Sequence, residues 1–323
     1  MSERKHLYAA SGTGTAGIYH FLCDGDGNCE LKDFTPVGDA RVMQIRDGKF
    51  YAVLRETSKE QDSELVIYAL NEDGSLGDCL ERYDTLGHRA NYLLIDDVTG
   101  CCYVTDFGDG KLFRTPDVIQ PFHGSSVHPT RQAGPHTHCV IRTPDLKYLA
   151  VADLGADEVY LCDSDMNVLQ TVKAPAGCGP RQLVFSDDGK VLYCVTEIGS
   201  TLLTFSYEDG KLAFEGEVSM LEDGYEGEHA ACALKKAGNC LYTTERRANS
   251  ITIFRTDGLC VERAAIVDPI GVKPDDLAFW GSLVCCANET SGTLNFFRLE
   301  ADGMLSPLPA SAEVPGVLCI LFG

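Results

Sequence analysis

The sequence predicts an all-β chain: a seven-bladed β-propeller of four-stranded antiparallel blades, closed by pairing of its N- and C-terminal strands. Three observations predict it. One layout recurs, as in GCGPRQLVFSDDGKVLYCVTEIGSTLLTF over residues 177–205: an apolar strand, a Gly or Asp-Gly turn, and a second strand that stops at an acidic or amide residue. A Gly or Ser often follows, and then a third strand. The units begin about 41–50 residues apart, the span of one propeller blade. Runs such as Leu202-Thr204-Ser206 against Leu203-Phe205-Tyr207 alternate with period two, while no segment carries a long helical period. One such sheet cannot bury its own faces, so the units must pack on each other.

Six units read cleanly. The first covers residues 40–76, with ARVMQIRDGKFYAVLRE and then ELVIYALNEDGSL. The second begins at Ala90, the third at Thr137, the fourth is the segment quoted above, the fifth begins at Glu228 and the sixth at Asp275. The ends complete the ring. The C-terminus supplies one strand, VLCILF, and the N-terminus two, HLYAAS and GIYHFLC. Closure removes the open sheet edge that invites aggregation. Asp-Gly at 47–48, 73–74, 188–189, 209–210, 257–258 and 302–303 marks hairpin turns. The longest irregular segment, residues 115–135, has the length of a functional or mobile loop. The run from Gly12 to Gly17 matches G-x-G-x-x-G, but a dinucleotide site needs a helix next. GIYHFLC is a strand pattern, so this run is expected to be a hairpin loop. There is no Walker A lysine.

Composition narrows the partners. The chain has 323 residues, 44% of them hydrophobic, and a net charge of −21 from 48 acidic and 27 basic residues. That balance argues against nucleic acid and anionic membrane, which need a basic footprint. An anionic ligand would need a local basic cluster that overcomes the general field. No apolar run reaches the length of a membrane helix. The N-terminus lacks the apolar run of a secretory signal, so a cytoplasmic location is expected. Of the fifteen cysteines none forms C-x-x-C, and no zinc site is signalled. Cys101-Cys102 and Cys285-Cys286 put neighbours on opposite sheet faces. The cysteines read as small buried hydrophobes in a reducing compartment. No cofactor is expected, and the protein is expected to be a monomer or weak homo-oligomer.

Blade geometry points to one end of the channel. Residues just before the first strand and just after the second of each blade meet there. The first set holds His136, His138, Arg181, Glu228, His229 and Asp275; the second holds Glu56, Asp106, Asp153, Glu197, Glu245, Arg246 and Asn288. Two arginines can hold a carboxylate or phosphate. A carboxylate beside them can orient or activate water, and a histidine can carry a proton. That set suits lactone opening or its reversal, without metal. Acidic residues after the second strand can instead cap loop N–H groups, the preferred reading for Glu56, Asp106 and Glu245. Arg181, after Gly-Pro at the start of an inner strand, reads as functional. His136 and His138 form H-x-H, which can suit a metal. The third ligand is unspecified among His123, His128 and His229, and a structural or acid role is preferred.

The segment VIQPFHGSSVHPTRQAGPHTHCV, residues 118–140, resembles the loop and third blade of the seven-bladed propeller lactonases. That family includes cycloisomerase-type 6-phosphogluconolactonases and carboxy-cis,cis-muconate lactonizing enzymes. ADLGADEV, GPRQLVFSDDGKVLYCVTE, ERRANSITIF and VPGVLCILFG extend the resemblance to nearly the whole chain; PHTH and GPRQLVF are its most specific pieces. The resemblance implies an active site at the channel mouth. It carries the family's histidine onto His138, with His136 just before it, its G-P-R arginine onto Arg181, its glutamate onto Glu197 and a further arginine onto Arg246. His136, Asp153, Arg247, His229 and Asp275 are the expected substrate-binding residues. The chain departs from the family at Pro274-Asp275, where Pro-Arg is usual, and in the lead-ins to the first two blades. A phosphorylated substrate would then rely on Arg181, Arg246, Arg247 and Lys273.

The expected activity is metal-independent hydrolysis of a small anionic sugar lactone such as 6-phosphogluconolactone. Arg181 and Arg246 would bind the anion and polarise the carbonyl, Glu197 would activate water and His138 would carry the proton. The alternatives are lactone closure from an unsaturated dicarboxylic acid, or a propeller that binds a protein or metabolite without catalysis. A metal-dependent lactonase using Glu56, Asp106, Asp153 and Asn288 is the remaining option.

Overall fold

The computed structural model describes residues 3–12, 15–55 and 63–323. Glu56 and positions 13–14 of the glycine motif lie outside the described residues. The chain opens with β1 (Arg4–Ser11), β2 (Gly17–Asp24) and β3 (Cys29–Thr35). Blade 1 is β4 (Asp39–Arg46), β5 (Lys49–Arg55), β6 (Glu64–Leu70) and β7 (Leu76–Asp84). Blade 2 is β8 (Ala90–Ile95), β9 (Cys102–Asp106), β10 (Lys111–Arg114) and β11 (Val118–Pro121). Blade 3 is β12 (Thr137–Arg142), β13 (Leu149–Asp153), β14 (Glu158–Cys162) and β15 (Val168–Lys173). Blade 4 is β16 (Pro180–Phe185), β17 (Val191–Thr196), β18 (Thr201–Glu208) and β19 (Lys211–Ser219). Blade 5 is β20 (Ala231–Ala237), β21 (Cys240–Glu245), β22 (Ser250–Asp257) and β23 (Cys260–Val267). Blade 6 is β24 (Pro274–Trp280), β25 (Leu283–Asn288), β26 (Thr293–Leu299) and β27 (Leu305–Glu313). The last strand, β28 (Val317–Phe322), pairs antiparallel with β1 and becomes the innermost strand of blade 7, in the order β28-β1-β2-β3.

The ring is therefore closed as the sequence predicts, with one difference. The N-terminus supplies three strands to blade 7, not two. The third, CELKDFT, is an outer edge strand with no fully buried residue, so its apolar signal is faint. β1 and β2 pair antiparallel on either side of the glycine motif, which makes that motif a hairpin connection.

Burial follows position in the blade. Second strands β9, β13, β17, β21 and β25 are buried along their whole length. Each has a strand on both sides and a neighbouring blade against both faces, so it reads as a continuous apolar run rather than an alternating one. Cys285 and Cys286 are both fully buried on opposite faces of β25. Seven apolar clusters lie one at each junction between blades; one joins Leu7 and Phe21 of blade 7 to Cys285 and Phe296 of blade 6. Tyrosines on second strands peg four of the blades to the next. Tyr8, Tyr103, Tyr193 and Tyr242 donate to Gly74, Ser164, Gly258 and Gly303 carbonyls at 2.7–2.8 Å, which satisfies their buried hydroxyls.

The cysteine reading needs one correction. Cys23 and Cys29 face each other across the β2–β3 turn and form a disulfide, with Cα atoms 4.1 Å apart. The strand register puts them directly opposite, which the sequence spacing alone did not signal. The other thirteen are free, and most are buried.

Candidate active site

Every innermost strand carries a β-bulge at the same place. Pairing with the second strand slips past Arg41, Asn91, His138, Arg181, Asp275 and Leu318, and past Cys232 together with Ala233. A bulge re-aims the unpaired side chain. Here it turns one residue from each of the seven blades toward the channel mouth, where Arg41, Asn91, His138, Arg181, Cys232, Asp275 and Leu318 all line one cavity of about 740 Å³. Its charged lining is eight cations (Arg41, Arg55, Arg89, Arg131, Arg181, Lys235, Arg246, Lys273) and four carboxylates (Glu197, Asp275, Asp276, Glu289). Basic side chains outnumber acidic ones two to one there, in a chain of net charge −21.

The ends of the second strands separate into two classes. In blades 2 to 6 the last strand residue turns back into its own blade. Asp106 accepts from the Arg89 and Asp109 amides at 2.9 and 2.8 Å. Asp153 accepts from the His136, Gly155 and Ala156 amides at 2.8, 2.8 and 3.1 Å. Glu245 accepts from the Ala230, Arg247 and Ala248 amides. These are loop caps. Asn288 occupies the same place and donates to Asn295 and Pro269. The residue one further on faces the channel instead: Phe107, Glu197, Arg246 and Glu289 all line the cavity. In blade 4 the inward-turned place is held by Thr196, whose Oγ1 accepts the Thr201 amide at 3.0 Å.

Glu197 is the centre of the site. It is 7% exposed. Its Oε1 receives Arg131 at 2.5 Å and Arg246 at 2.7 Å, and its Oε2 receives Arg181 Nε at 2.9 Å. His138 Nε2 lies 3.7 Å from the same Oε2. Burial alone would raise the Glu197 carboxyl; the positive charge of Arg246, Arg181 and their neighbours outweighs it and holds the group far below the usual carboxylate range. Burial, then the Arg181 charge, push the His138 imidazole well below the ordinary histidine value, so it is neutral at pH 7. Asp275 behaves oppositely. Burial and the adjacent Glu289 carboxyl raise it to about 7, against the pull of Arg246 3.7 Å away. Cys232 Sγ lies 3.2 Å from its Oδ1.

Six of the sequence-predicted residues come together: Glu197, His138, Arg181, Arg246, His136 and Asp275 line the cavity. His136 stacks on Phe107 at 4.4 Å between ring centroids, with its Nδ1 on the Phe107 carbonyl at 2.5 Å. Asp153, Arg247 and His229 do not line it. Asp153 is fully buried in its capping role. Arg247 points to solvent and pairs with Glu228 at 3.5 Å. His229 is exposed and contacts Ser200 at 3.2 Å. Among the described residues no three His, Cys, Asp or Glu side chains gather as a metal-binding group.

Arg131 is the Glu197 partner that the sequence did not single out. Its loop is pinned by the fully buried Gln132, which donates to the Leu154 carbonyl at 2.9 Å and to Asp157 at 2.7 Å. Asp157 in turn accepts the Gly177 and Gly179 amides. The loop is thereby fastened to the lead-in of β16. Gly179 sits there at φ 68°, and a Cβ would press on Ile198 and Leu154 at 3.0 and 3.1 Å. That left-handed turn feeds Pro180-Arg181 into the bulge.

The arrangement holds an ionised carboxylate, three guanidiniums and a neutral imidazole in a partly water-excluded cleft. Guanidinium N–H groups can stabilise an oxyanion, and the imidazole can accept a proton.

Comparison with known proteins agrees in fold and extent. An uncharacterized Staphylococcus aureus (strain N315) protein is 30% identical over 329 residues, 95% of this chain and 96% of its own length. A periplasmic gluconolactonase of Pseudomonas aeruginosa superposes with a TM-score of 0.89 at 22% identity, covering 99% of each chain. A Bacteroides fragilis protein provisionally assigned as a 6-phosphogluconolactonase gives 0.88 at 22%, covering 99% and 98%. The pattern of the family described as "Lactonase, 7-bladed beta-propeller" matches residues 6–322, through all seven blades, and the chain belongs to that family.

Proposed function

We propose that this chain hydrolyses a sugar-derived lactone, with 6-phosphogluconolactone to 6-phosphogluconate as the leading reaction. The observation that carries this reading is Glu197 held by Arg131, Arg181 and Arg246 beside a neutral His138, in a cationic cavity of a strongly acidic protein. The names of similar proteins, a gluconolactonase among them, support the substrate class.

The lactone carbonyl sits against Arg181 and Arg246. Water attacks the carbonyl carbon and gives its proton to His138. The tetrahedral oxyanion is stabilised by the guanidiniums. On collapse the ring C–O bond breaks, and the imidazolium returns the proton to the leaving oxygen. The product carboxylic acid and hydroxyl account for the added water, and the acid then ionises and releases one proton to solvent. A carboxylate held as low as Glu197 is a weak base. Its part is to position the three arginines and to stabilise the imidazolium as it forms, and water activation passes to His138.

A pH-indicator assay over sugar lactones, with and without phosphate, tests this reading. Opening of at least one sugar lactone, lost in Glu197→Gln and His138→Gln, is the expected result. Turnover of a muconate-type acid with no lactone opened would overturn it.

A further inference from the structure

The two walls of the cavity differ in how their charge is balanced. On the blade 3–5 wall, Arg131, Arg181 and Arg246 share Glu197. Three blades round the ring, the opposite wall holds Arg41 on the β4 bulge, Arg55 at the end of β5 and Arg89 just before β8. Arg55 is anchored through backbone carbonyls, with Nε on Ala90 at 2.9 Å and an Nη on Arg89 at 3.2 Å. Arg41 is held by Asp39 at 2.6 Å. Arg89 lies over the Phe107 ring, 5.3 Å from its centroid. Among the described residues no carboxylate makes an ion pair with Arg55 or Arg89. Asp106, the nearest acid on β9, is spent on backbone amides. Burial first, and then the like charges of Arg41 and Arg89, push Arg55 below the ordinary arginine value.

Three converging guanidiniums with one carboxylate between them are costly unless an anion joins them. Resting on the lactonase reading, we infer that Arg41, Arg55 and Arg89 form a second anion subsite, which takes a phosphate monoester on the substrate remote from the carbonyl held at Glu197. A tetrahedral dianion can accept from several guanidiniums at once; of those donors Arg55 is fixed by backbone carbonyls and Arg89 by the Phe107 ring, and only Arg41 shares a carboxylate. The sequence resemblance assigns the phosphate to Arg181, Arg246, Arg247 and Lys273 instead. Of these, Arg181 and Arg246 serve Glu197 and the lactone carbonyl, Lys273 pairs with Glu289, and Arg247 is outside the cavity.

The test compares kcat/KM for 6-phosphogluconolactone and glucono-δ-lactone in the wild type, Arg55→Gln and Arg89→Gln. Arg89 is exposed, so its replacement leaves the buried core intact and guards against a folding artefact at Arg55. The phosphorylated-to-plain ratio should fall by about 10-fold or more in each variant, mainly through KM, with partial recovery in Arg55→Lys. An unchanged ratio overturns the subsite while leaving the hydrolase reading intact. If the wild type opens neither lactone, that reading fails and thermal shift decides the subsite: 6-phosphogluconate should raise Tm more than gluconate in the wild type and not in Arg55→Gln. A shift with 6-phosphogluconate no larger than with gluconate, or one undiminished in Arg55→Gln, overturns it.

Discussion

Asp153 and Glu197 lie at the ends of equivalent strands in neighbouring blades, and both are buried carboxylates. Asp153 accepts three backbone N–H groups and closes its own loop. Glu197 accepts three guanidiniums from three separate segments and holds the channel mouth together. One residue of offset makes the difference. Thr196 fills the inward-turned place in blade 4, so the following glutamate faces the channel. A buried carboxylate therefore caps its own loop or faces the channel according to which side of the strand end it leaves.

The largest expected effect comes from breaking the Glu197 side of that comparison. Glu197→Gln leaves three guanidiniums without their common anion, and kcat/KM for the best lactone should fall by about 10³-fold, or about 4 kcal/mol. His138→Gln should cost about 10²-fold or more. The wild-type pH profile sharpens that assignment. The base must be neutral and its pKa is depressed, so kcat/KM should hold at pH 6.5 and fall only at lower pH. An acid limb centred at or above 6.5 would contradict the His138 role.

Breaking the Asp153 side should read out as stability. Asp153→Ala orphans three amides and should lower unfolding free energy by about 2–3 kcal/mol, seen as a reduced urea midpoint. A loss of turnover in fully folded variant, with the midpoint unmoved, would place Asp153 in the site after all. The smallest effect is expected at Asp275. Its carboxyl is protonated below about pH 7 and anionic above, beside Arg246. KM for an anionic lactone should therefore rise a few-fold as pH passes through about 7. Asp275→Asn should flatten that rise; an identical slope in the variant would remove Asp275 from substrate binding.

Much of this was legible locally. Asp47-Gly48 and Asp209-Gly210 take positive φ at both central positions, as hairpin turns of this type require. The capping reading of Asp106 and Glu245 matches the amides they accept, because such caps lie within a blade's own register. Arg181 and Glu197 were visible as a strand pair in one unit. Arg131 was not, since it reaches Glu197 across 66 residues from an irregular loop. Nor were Arg55 and Arg89, which look like ordinary strand-end and loop residues until the ring places them on one wall. β3 was hidden because an exposed edge strand carries little apolar pattern.

Sequence by itself determined the blades: strand alternation, turn glycines and the apolar runs of second strands are short-range consequences of backbone geometry and burial. Tertiary structure alone decided which groups meet. The channel mouth gathers one bulged residue per blade, and the charge that Glu197, His138 and Asp275 carry depends on burial and on neighbours from other blades. Those neighbours are distant in sequence, and only closure of the ring brings them within reach.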